Sequence, residues 1–263
     1  MNITLHINKT IEQNAAHYFE AAKRAKRKLA GVEKTLVKYC KELENLQTQK
    51  EQQAQAHKEE EILAEQRAAQ PKRWYHSFRW FITSEGFLAI GGRDAVSNEV
   101  LIKKHTEPTD LIFHTDMAGS PFFILKTEGK KPQEASCREV ADATCTFSKA
   151  WKLGMSNQDV FYVTPEQVSK TAQSGEYLPR GGFMIRGKTT YLNNHINLAI
   201  GIDNTGFVMA GPCEAIKMHC KDYVMLMQGR LKPSDIAKYL AKKFHTNPDE
   251  ILRALPAGGF KIK

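Results

Sequence analysis

The chain has 263 residues and a formal net charge of +9, from 38 Lys and Arg against 29 Asp and Glu. This length leaves room for one or two domains with a sizeable core. No apolar run approaches the ~18 residues of a transmembrane helix, and the first residues, MNITLHINKT, lack the apolar segment of a secretion signal. The positive charge favours a polyanionic partner, with nucleic acid ahead of a membrane surface.

The cysteines favour reduced thiols over disulfides or a structural zinc site. No two of them form the CxxC pair typical of a zinc knuckle; they are Cys40, Cys137, Cys145, Cys213 and Cys220. Free thiols are normal in the cytoplasm. We therefore expect a cytoplasmic protein with no cofactor and no metal ion.

Residues 1–70 are predicted to form a coiled-coil helical segment. Apolar or small residues recur at alternating steps of four and three, the heptad pattern of a coiled coil. We call them the seam: Ile11, Ala15, Tyr18, Ala22, Ala25, Leu29, Val32, Leu36, Tyr39, Leu43 and Leu46. Beyond Leu46 the pattern fails, so 47–70 is expected to be a solvated helix or arm that ends at Pro71. Residues 11–46 are expected to pack on a second copy of the chain or on another helix.

The same segment carries a dense block of positive charge. Its members are Lys23, Arg24, Lys26, Arg27, Lys28, Lys34, Lys38 and Lys41. Only Glu20 and Glu33 oppose them. The block is either a solvated helix face or a set of phosphate contacts.

Residues 71–263 read as a mixed α/β domain of short strands and helices. A β-hairpin is predicted from the apolar runs 78–82 and 87–90, which flank the turn Ser84-Glu85-Gly86. The glycine pair that follows allows a sharp turn or a close backbone approach.

A helix is expected over 95–105, with Val96 and Val100 on its apolar side, and strands over 111–114 and 122–126 flank a polar loop. A single helix is then expected over 132–151. Further strands are predicted at 159–164, 183–185, 189–192, 195–200, 207–210 and 223–227, with helices at 212–219 and 233–244 and a helix capped by Asn247.

Several motifs in this domain resemble one known family. They are Trp80-Phe81-Ile82-Thr83 with Gly86-Phe87-Leu88, Gly91-Gly92-Arg93-Asp94-Ala95, Asn98-Glu99, and His114-x-Asp116-x-x-Gly119-Ser120. Because they recur in order, the region resembles the NFACT-R domain, the RNA-binding module of the NFACT (RqcH/NEMF-like) proteins of ribosome-associated quality control. Residues 11–26 also resemble the start of the family's middle coiled coil, so the resemblance covers nearly the whole chain.

The resemblance implies both a function and partners. It implies a factor that binds tRNA and rRNA on obstructed large ribosomal subunits and supports nascent-chain tailing. The ribosome makes the bonds in that reaction, so an enzyme is not expected. Full-length members place an NFACT-N domain and a helix-hairpin-helix module before the coil, whereas Met1 lies at the coil here. The resemblance therefore leaves two alternatives, a part of a longer chain or a naturally split protein, and in the second case a separate NFACT-N protein is a further partner. No membrane is expected.

The predicted RNA site lies around the glycine pair and a later glycine-rich turn. Arg93 follows the pair, Lys126 ends a strand, and other cations flank Gly181-Gly182. The RNA-binding candidates are Arg93, Asn98, His114, Ser120, Lys126, Lys170, Arg180 and Lys188, and the expected organisers of the site are Gly91, Gly92, Asp94, Glu99, Asp116 and Gly119. A buried Arg93–Asp94 ion pair that locks the hairpin to the helix is the alternative.

Two other functions stay open from the sequence. His114 and Asp116 share one face of a strand and, with Asp94 and Glu99, could hold a metal ion in an RNA-processing enzyme. No nucleophile elbow, P-loop or HExxH motif supports this reading. The second alternative is a fibronectin-binding-like surface protein, as bacterial relatives in the family have been described.

Overall fold

A computed structural model describes residues 3–69, 71–117, 119–171 and 181–263. The chain divides into two units, residues 1–63 and 64–263. The predicted phosphate contact Arg180 lies outside the described residues. None of the described helices is both long and apolar enough to cross a membrane.

The first unit consists mainly of helix α1 (Ile11–Ala69), which confirms the predicted N-terminal helix. Thr10 and Gln13 cap its start, since each side chain accepts a hydrogen bond from the other residue's backbone N–H at 3.2 Å. The seam leucines Leu29, Leu36, Leu43 and Leu46 are 58–62% exposed. Within the described residues the seam is therefore an uncovered apolar stripe, and its helical partner stays a prediction.

The second unit combines helices with antiparallel sheets, which confirms the mixed fold class. Its helices are α2 (Ala95–Lys104), α3 (Glu134–Thr146), α4 (Lys149–Leu153), α5 (Cys213–His219), α6 (Pro233–Phe244) and α7 (Pro248–Ala254). Its strands are β1 (Arg79–Ile82), β2 (Leu88–Gly91), β3 (Leu111–Thr115), β4 (Phe123–Lys126), β5 (Val160–Val163), β6 (Val168–Ser169), β7 (Met184–Ile185), β8 (Thr190–Leu192), β9 (Leu198–Asp203), β10 (Val208–Gly211), β11 (Cys220–Leu231) and β12 (Phe260–Ile262).

The strands form two main sheets and a small ribbon. The larger sheet has the order β1-β2-β4-β3-β5-β8, the second has the order β10-β9-β11-β12, and β6 pairs with β7. The predicted hairpin β1–β2 is confirmed, and β9 and β10 form a second antiparallel pair. The two main sheets approach each other where Gly211 on β10 meets the ring of Phe81 on β1, so closely that an added Cβ would lie 2.7 Å from that ring.

Two predicted helices differ from the structure in their details. The single helix expected over 132–151 is two helices, because the Ser148 hydroxyl accepts the Ala150 N–H at 3.0 Å and begins α4. The same hydroxyl donates to the Cys145 carbonyl at 2.7 Å, so it joins the end of α3 to the new helix. In α2 the buried positions are Asn98 and Leu101, whereas Val96 is exposed.

The junction between β2 and α2 is packed too closely for any side chain at its two glycines. A Cβ added at Gly91 would lie 2.3 Å from the Phe123 ring, and one at Gly92 would lie 1.8 Å from Asn98 Oδ1. The Gly92 N–H donates to the Phe122 carbonyl at 3.0 Å, and the Phe122 N–H donates to Asn98 Oδ1 at 3.2 Å. Gly92, Asn98 and Phe122 thus form one hydrogen-bonded unit.

Replacing Gly92 with alanine is expected to lower the free energy of unfolding by about 2–3 kcal/mol, because the new methyl overlaps the Asn98 amide. Chemical denaturation measures the change. The Gly92→Ala/Asn98→Ala double variant should cost less than the sum of the two single changes, since the overlap is relieved. Gly31→Ala is the control, because no atom lies within 4 Å of the added Cβ. Equal stability of Gly92→Ala and the wild type would contradict this packing.

Candidate nucleic-acid interface

One end of the larger sheet gathers the loops that form the site. Arg79 at the start of β1 pairs with Gly91 at the end of β2, and Gly91 pairs with Phe123 at the start of β4. Strand β3 ends beside them at Thr115, because its Phe113 also pairs with Phe123. The loops after β2 and β3 therefore meet at this end of the sheet.

A cleft of about 540 Å³ opens at this end of the sheet. Its lining comes from the two loops, from α4 and from Gly181-Gly182. Four cationic side chains line it, Arg79, Arg93, Lys149 and Lys152, and Asp94 is the only carboxylate among the described lining residues. The cleft therefore carries an excess of positive charge and suits an anionic ligand.

The Asp94 carboxylate caps the N-terminus of α2. Its Oδ1 accepts the Ser97 N–H at 2.7 Å, and the Ser97 hydroxyl accepts the N–H groups of Arg93 and Asp94 at 2.8 and 2.9 Å. The hydrogen bond from the Ser97 backbone is the main cause that lowers the pKa of Asp94. The Arg93 side chain is exposed at the mouth of the cleft, which contradicts the alternative of a buried Arg93–Asp94 pair.

His114 and Ser120 line the cleft in different ways. The His114 ring stacks on Phe122 with centroids 4.1 Å apart and planes inclined by 27°. Burial lowers the pKa of His114, so the imidazole is neutral at pH 7. Ser120 is buried, and its hydroxyl forms a short hydrogen bond with the Thr115 hydroxyl. Ser120 is thus fixed in place, while the His114–Phe122 stack offers an aromatic wall.

Asp116 lies outside the cleft lining. The exposed Asp116 carboxylate accepts a hydrogen bond from the Tyr191 hydroxyl at 3.2 Å, so it turns toward β8. In the part of the chain that the structure describes, no three His, Cys, Asp or Glu side chains are grouped so as to hold a metal ion.

Arg79, which sequence analysis did not single out, lies largely buried in the cleft. Its Nη1 donates to the Gly92 carbonyl at 2.8 Å, and its guanidinium carbon lies 5.0 Å from the centre of the Phe147 ring. Its Nε is buried without a hydrogen-bond partner, and no ion pair to Arg79 is found within the described ranges. Burial, with Arg93 nearby, lowers the pKa of Arg79 to about 10, so it stays charged at pH 7.

Helix α4 supplies two further cations that the sequence did not indicate. The Lys149 side chain packs against Gly119, because a Cβ added at Gly119 would lie 3.1 Å from Lys149 Cε. Gly119 has a φ of +83°, a conformation that favours glycine. Lys149 and Lys152 are exposed, and neither forms an ion pair with another described residue. The sequence feature that could have indicated them is Ser148, a residue typical of helix N-caps, which ends the expected single helix and begins α4 beside the cleft.

Lys126 was predicted to contact phosphate, and the structure contradicts this. Lys126 is the last residue of β4 and pairs with Leu88 of β2, at the opposite end of that strand from Gly91. Its Nζ lies 2.7 Å from Asp110 Oδ2 and 3.2 Å from Glu107 Oε1, and only 11% of its side chain is exposed. The charge of Lys126 is thus neutralised inside the protein.

The structure brings only some of the other predicted residues to the cleft. Lys170 pairs with Glu99 at 2.9 Å and lies 5.0 Å from the centre of the Phe183 ring, outside the lining. Glu99 also binds Lys103 at 2.7 Å, and the hydrogen bonds from the two lysines lower the pKa of Glu99 to about 2. Lys188 is exposed and also lies outside the lining. Asn98 lines the cleft, but its buried amide organises the junction described above.

The residues that build this cleft fall largely within a known domain. Residues 77–187 match the NFACT protein RNA binding domain. That range contains β1, the glycine pair, the β3–β4 loop and α4. This match identifies residues 77–187 as an RNA-binding domain of the NFACT-R type.

Parts of two longer proteins are similar in sequence to this chain. The archaeal Rqc2 homolog aRqcH of Methanocaldococcus jannaschii is 39% identical over 198 residues, 73% of this chain and 29% of that protein. The ribosome quality control complex subunit NEMF homolog of Drosophila melanogaster is 37% identical over 131 residues, 49% of this chain and 13% of that protein. This chain belongs to the NFACT family, and it spans less than a third of the length of these two relatives.

A solved structure gives a weaker match. It is the C-terminal part of the fibronectin/fibrinogen-binding protein from Streptococcus suis, which superposes with a TM-score of 0.38 and 19% identity over 47% of each chain. A similarity of this size carries no argument about fold or function.

Replacing Lys126 with alanine is expected to lower the free energy of unfolding by about 3 kcal/mol, because Asp110, whose side chain is fully buried, loses its partner. Thermal melting or denaturant titration measures the loss. The exposed Lys130→Ala variant in the same loop region is the matched control and should melt like the wild type. An unchanged stability of Lys126→Ala would show that the ion pair contributes little.

Proposed function

We propose that the chain is an RNA-binding factor of ribosome-associated quality control that contacts tRNA or rRNA through the cationic cleft. The observation that carries this proposal is the Arg79 guanidinium. It is largely buried and charged, and no acidic side chain in the described part of the chain forms an ion pair with it. A buried charge of this kind is costly unless it is paired, and a phosphate oxygen supplies the missing partner.

The other cations of the cleft support the same ligand. Arg93, Lys149 and Lys152 are exposed around Arg79, where they can approach successive phosphates. The half-buried His114 ring, which stacks on the buried Phe122, adds an aromatic surface against which an unpaired base can stack. Phosphate contacts of this kind position an RNA without reading its sequence.

The names of the relatives support the cellular setting. The names of both relatives refer to ribosome quality control. The first is an Rqc2 homolog, and the second is a homolog of a subunit of the ribosome quality control complex. On this basis the ligand is the RNA of an obstructed large ribosomal subunit or its tRNA, and the chain works in the cytoplasm without being an enzyme itself. Support of nascent-chain tailing then requires NFACT-N, either in a longer chain or as a separate partner.

The cleft proposal predicts a change in the salt dependence of RNA binding. Arg93→Ala, Lys149→Ala and Lys152→Ala should each reduce the slope of log affinity against log salt by about 0.7–0.9, because each removes one phosphate contact. Binding of a single-stranded oligoribonucleotide, a tRNA and isolated large ribosomal subunits is measured from about 50 to 300 mM salt. Lys130→Ala, an exposed lysine away from the cleft, is the matched control and should keep the wild-type slope.

Arg79→Met separates binding from folding in the same series. It removes a buried charge that lacks an acidic partner, so stability should stay within about 1 kcal/mol of the wild type. RNA affinity should nevertheless fall at least as far as in the three alanine variants. Wild-type slopes in all four folded variants would contradict the assignment of the cleft.

The seam of α1 is proposed to bind a helical partner, which is a second copy of the chain or a helix met on the ribosome. The exposure of Leu29, Leu36, Leu43 and Leu46 supports this, because a continuous apolar stripe is unfavourable in water. Opposing negative charge is scarce around the basic block, so the same helix can also lie against RNA.

A charge placed in the seam is expected to abolish that interaction. Leu36→Glu should convert a self-associating chain to a monomer in sedimentation velocity, or, for a monomeric wild type, weaken its binding to large ribosomal subunits. Thr35→Glu introduces the same charge one residue away from the seam and beside the basic block, so it should leave self-association unchanged and weaken ribosome binding less than Leu36→Glu does. A monomeric wild type whose ribosome binding is insensitive to Leu36→Glu would contradict a role for the seam.

A further inference from the structure

A second cavity, of about 230 Å³, lies beside β1 and is lined by residues from 72–80, the start of β10 and α7. Among its described lining residues, four have planar rings: His76, Phe78, Trp80 and Phe207. Three others are cations that lie outside the cleft, Lys72, Arg73 and Arg253. We call this cavity the aromatic pocket.

The rings of His76, Trp80 and Phe207 lie next to one another in the aromatic pocket. The His76 ring lies 4.0 Å from Phe207 and 5.0 Å from Trp80, measured between centroids, at angles of 43° and 33°. His76 Nδ1 is buried and has no hydrogen-bond partner among the described residues. Burial lowers the pKa of His76, so the imidazole is neutral at pH 7. The pocket is thus lined by flat rings, and one buried ring nitrogen has no hydrogen-bond partner among the described residues.

The charged residues around this surface are mostly positive. Glu250 is the only acidic residue among the described lining residues, and it lies 3.6 Å from Lys72. Arg73 donates to the Tyr75 hydroxyl at 3.0 Å and forms no ion pair within the described ranges. Arg253 is exposed and likewise has no acidic partner in the part of the chain that the structure describes. Arg73 and Arg253 are therefore available to an anion.

We propose that the aromatic pocket binds a single unpaired nucleotide of the RNA, with its base against His76, Trp80 and Phe207 and its phosphate near Arg73 and Arg253. A nucleotide joins a flat ring with polar edges to an anionic group, which matches the rings, the free Nδ1 and the two arginines. This inference rests on the proposed RNA-binding function and extends it, because the cleft contacts phosphates whereas the pocket recognises a base.

A comparison of normal and abasic RNA tests the pocket. The full chain should bind an unstructured oligoribonucleotide roughly tenfold more tightly than an abasic oligomer with the same number of phosphates, because stacking adds to phosphate binding. His76→Leu and Phe207→Leu, which keep apolar bulk in the pocket, should bring this ratio close to one. Both variants should keep the wild-type slope of affinity against salt, since the cleft is intact.

Free nucleotides provide a second measurement that does not need RNA binding by the cleft. Adenosine and 5′-AMP should both shift the NMR signals of the His76 ring, which are assigned by their loss in His76→Leu. AMP should bind more tightly than adenosine, and Arg253→Ala should remove that difference. Arg230→Ala, an exposed arginine outside both cavities, is the matched control and should keep it.

The outcomes separate this inference from the proposed function. An unchanged base-to-abasic ratio in His76→Leu and Phe207→Leu, or His76 signals that no nucleotide shifts, overturns the nucleotide pocket even if the cleft variants change the salt slope. Signals shifted by an aromatic peptide and not by nucleotides overturn it as well. Nucleotide binding at His76 with unchanged slopes in the cleft variants would instead support the pocket and reject the cleft.

Discussion

The close packing of Gly91 and Gly92 against Phe123 and Asn98 determines where the side chains of the cleft lie. A side chain at either glycine would overlap its neighbour, so β2 can turn into α2 only with two residues that lack a Cβ. This turn places the Gly92 carbonyl where Arg79 donates to it. The Asn98 amide, which leaves no room for a side chain at Gly92, also accepts a hydrogen bond from the Phe122 N–H. This bond fixes the position of Phe122, whose ring stacks on His114. One steric constraint therefore positions both the cation and the aromatic wall.

The pairing of the charges indicates the binding surface better than the net charge of +9 does. Lys126 is held by Asp110 and Glu107, and Lys170 is held by Glu99, so these cations are neutralised within the protein. The cleft cations lack such partners among the described residues. Because neutralised pairs at the surface and in the interior attract a polyanion weakly, we assign the proposed RNA contacts to the unpaired cations.

Local patterns in the sequence predicted most elements of the second unit, including the β1–β2 hairpin, α2 and α6. The site was predicted less well, because its residues meet through pairings that are distant in sequence. Lys126 is only three residues from Phe123, but in an extended strand that is roughly 10 Å, toward the far end of the sheet. Arg79 stands among aromatic residues and resembles an ordinary strand position. Only the pairing of Arg79 with Gly91 reveals that it lies beside the glycine turn.

Arg79 lines both the cleft and the aromatic pocket, so the two cavities are neighbours at β1. A strand of RNA that places a phosphate on the Arg79 side of the cleft can therefore place a nearby base toward His76. Phosphate contacts alone would accept any RNA, whereas a pocket for one base requires a nucleotide that is free of a duplex. With both proposed sites occupied, the domain would discriminate single-stranded RNA from double-stranded RNA. That selectivity would come from the geometry of one strand, because a duplex cannot enter the pocket without losing a base pair.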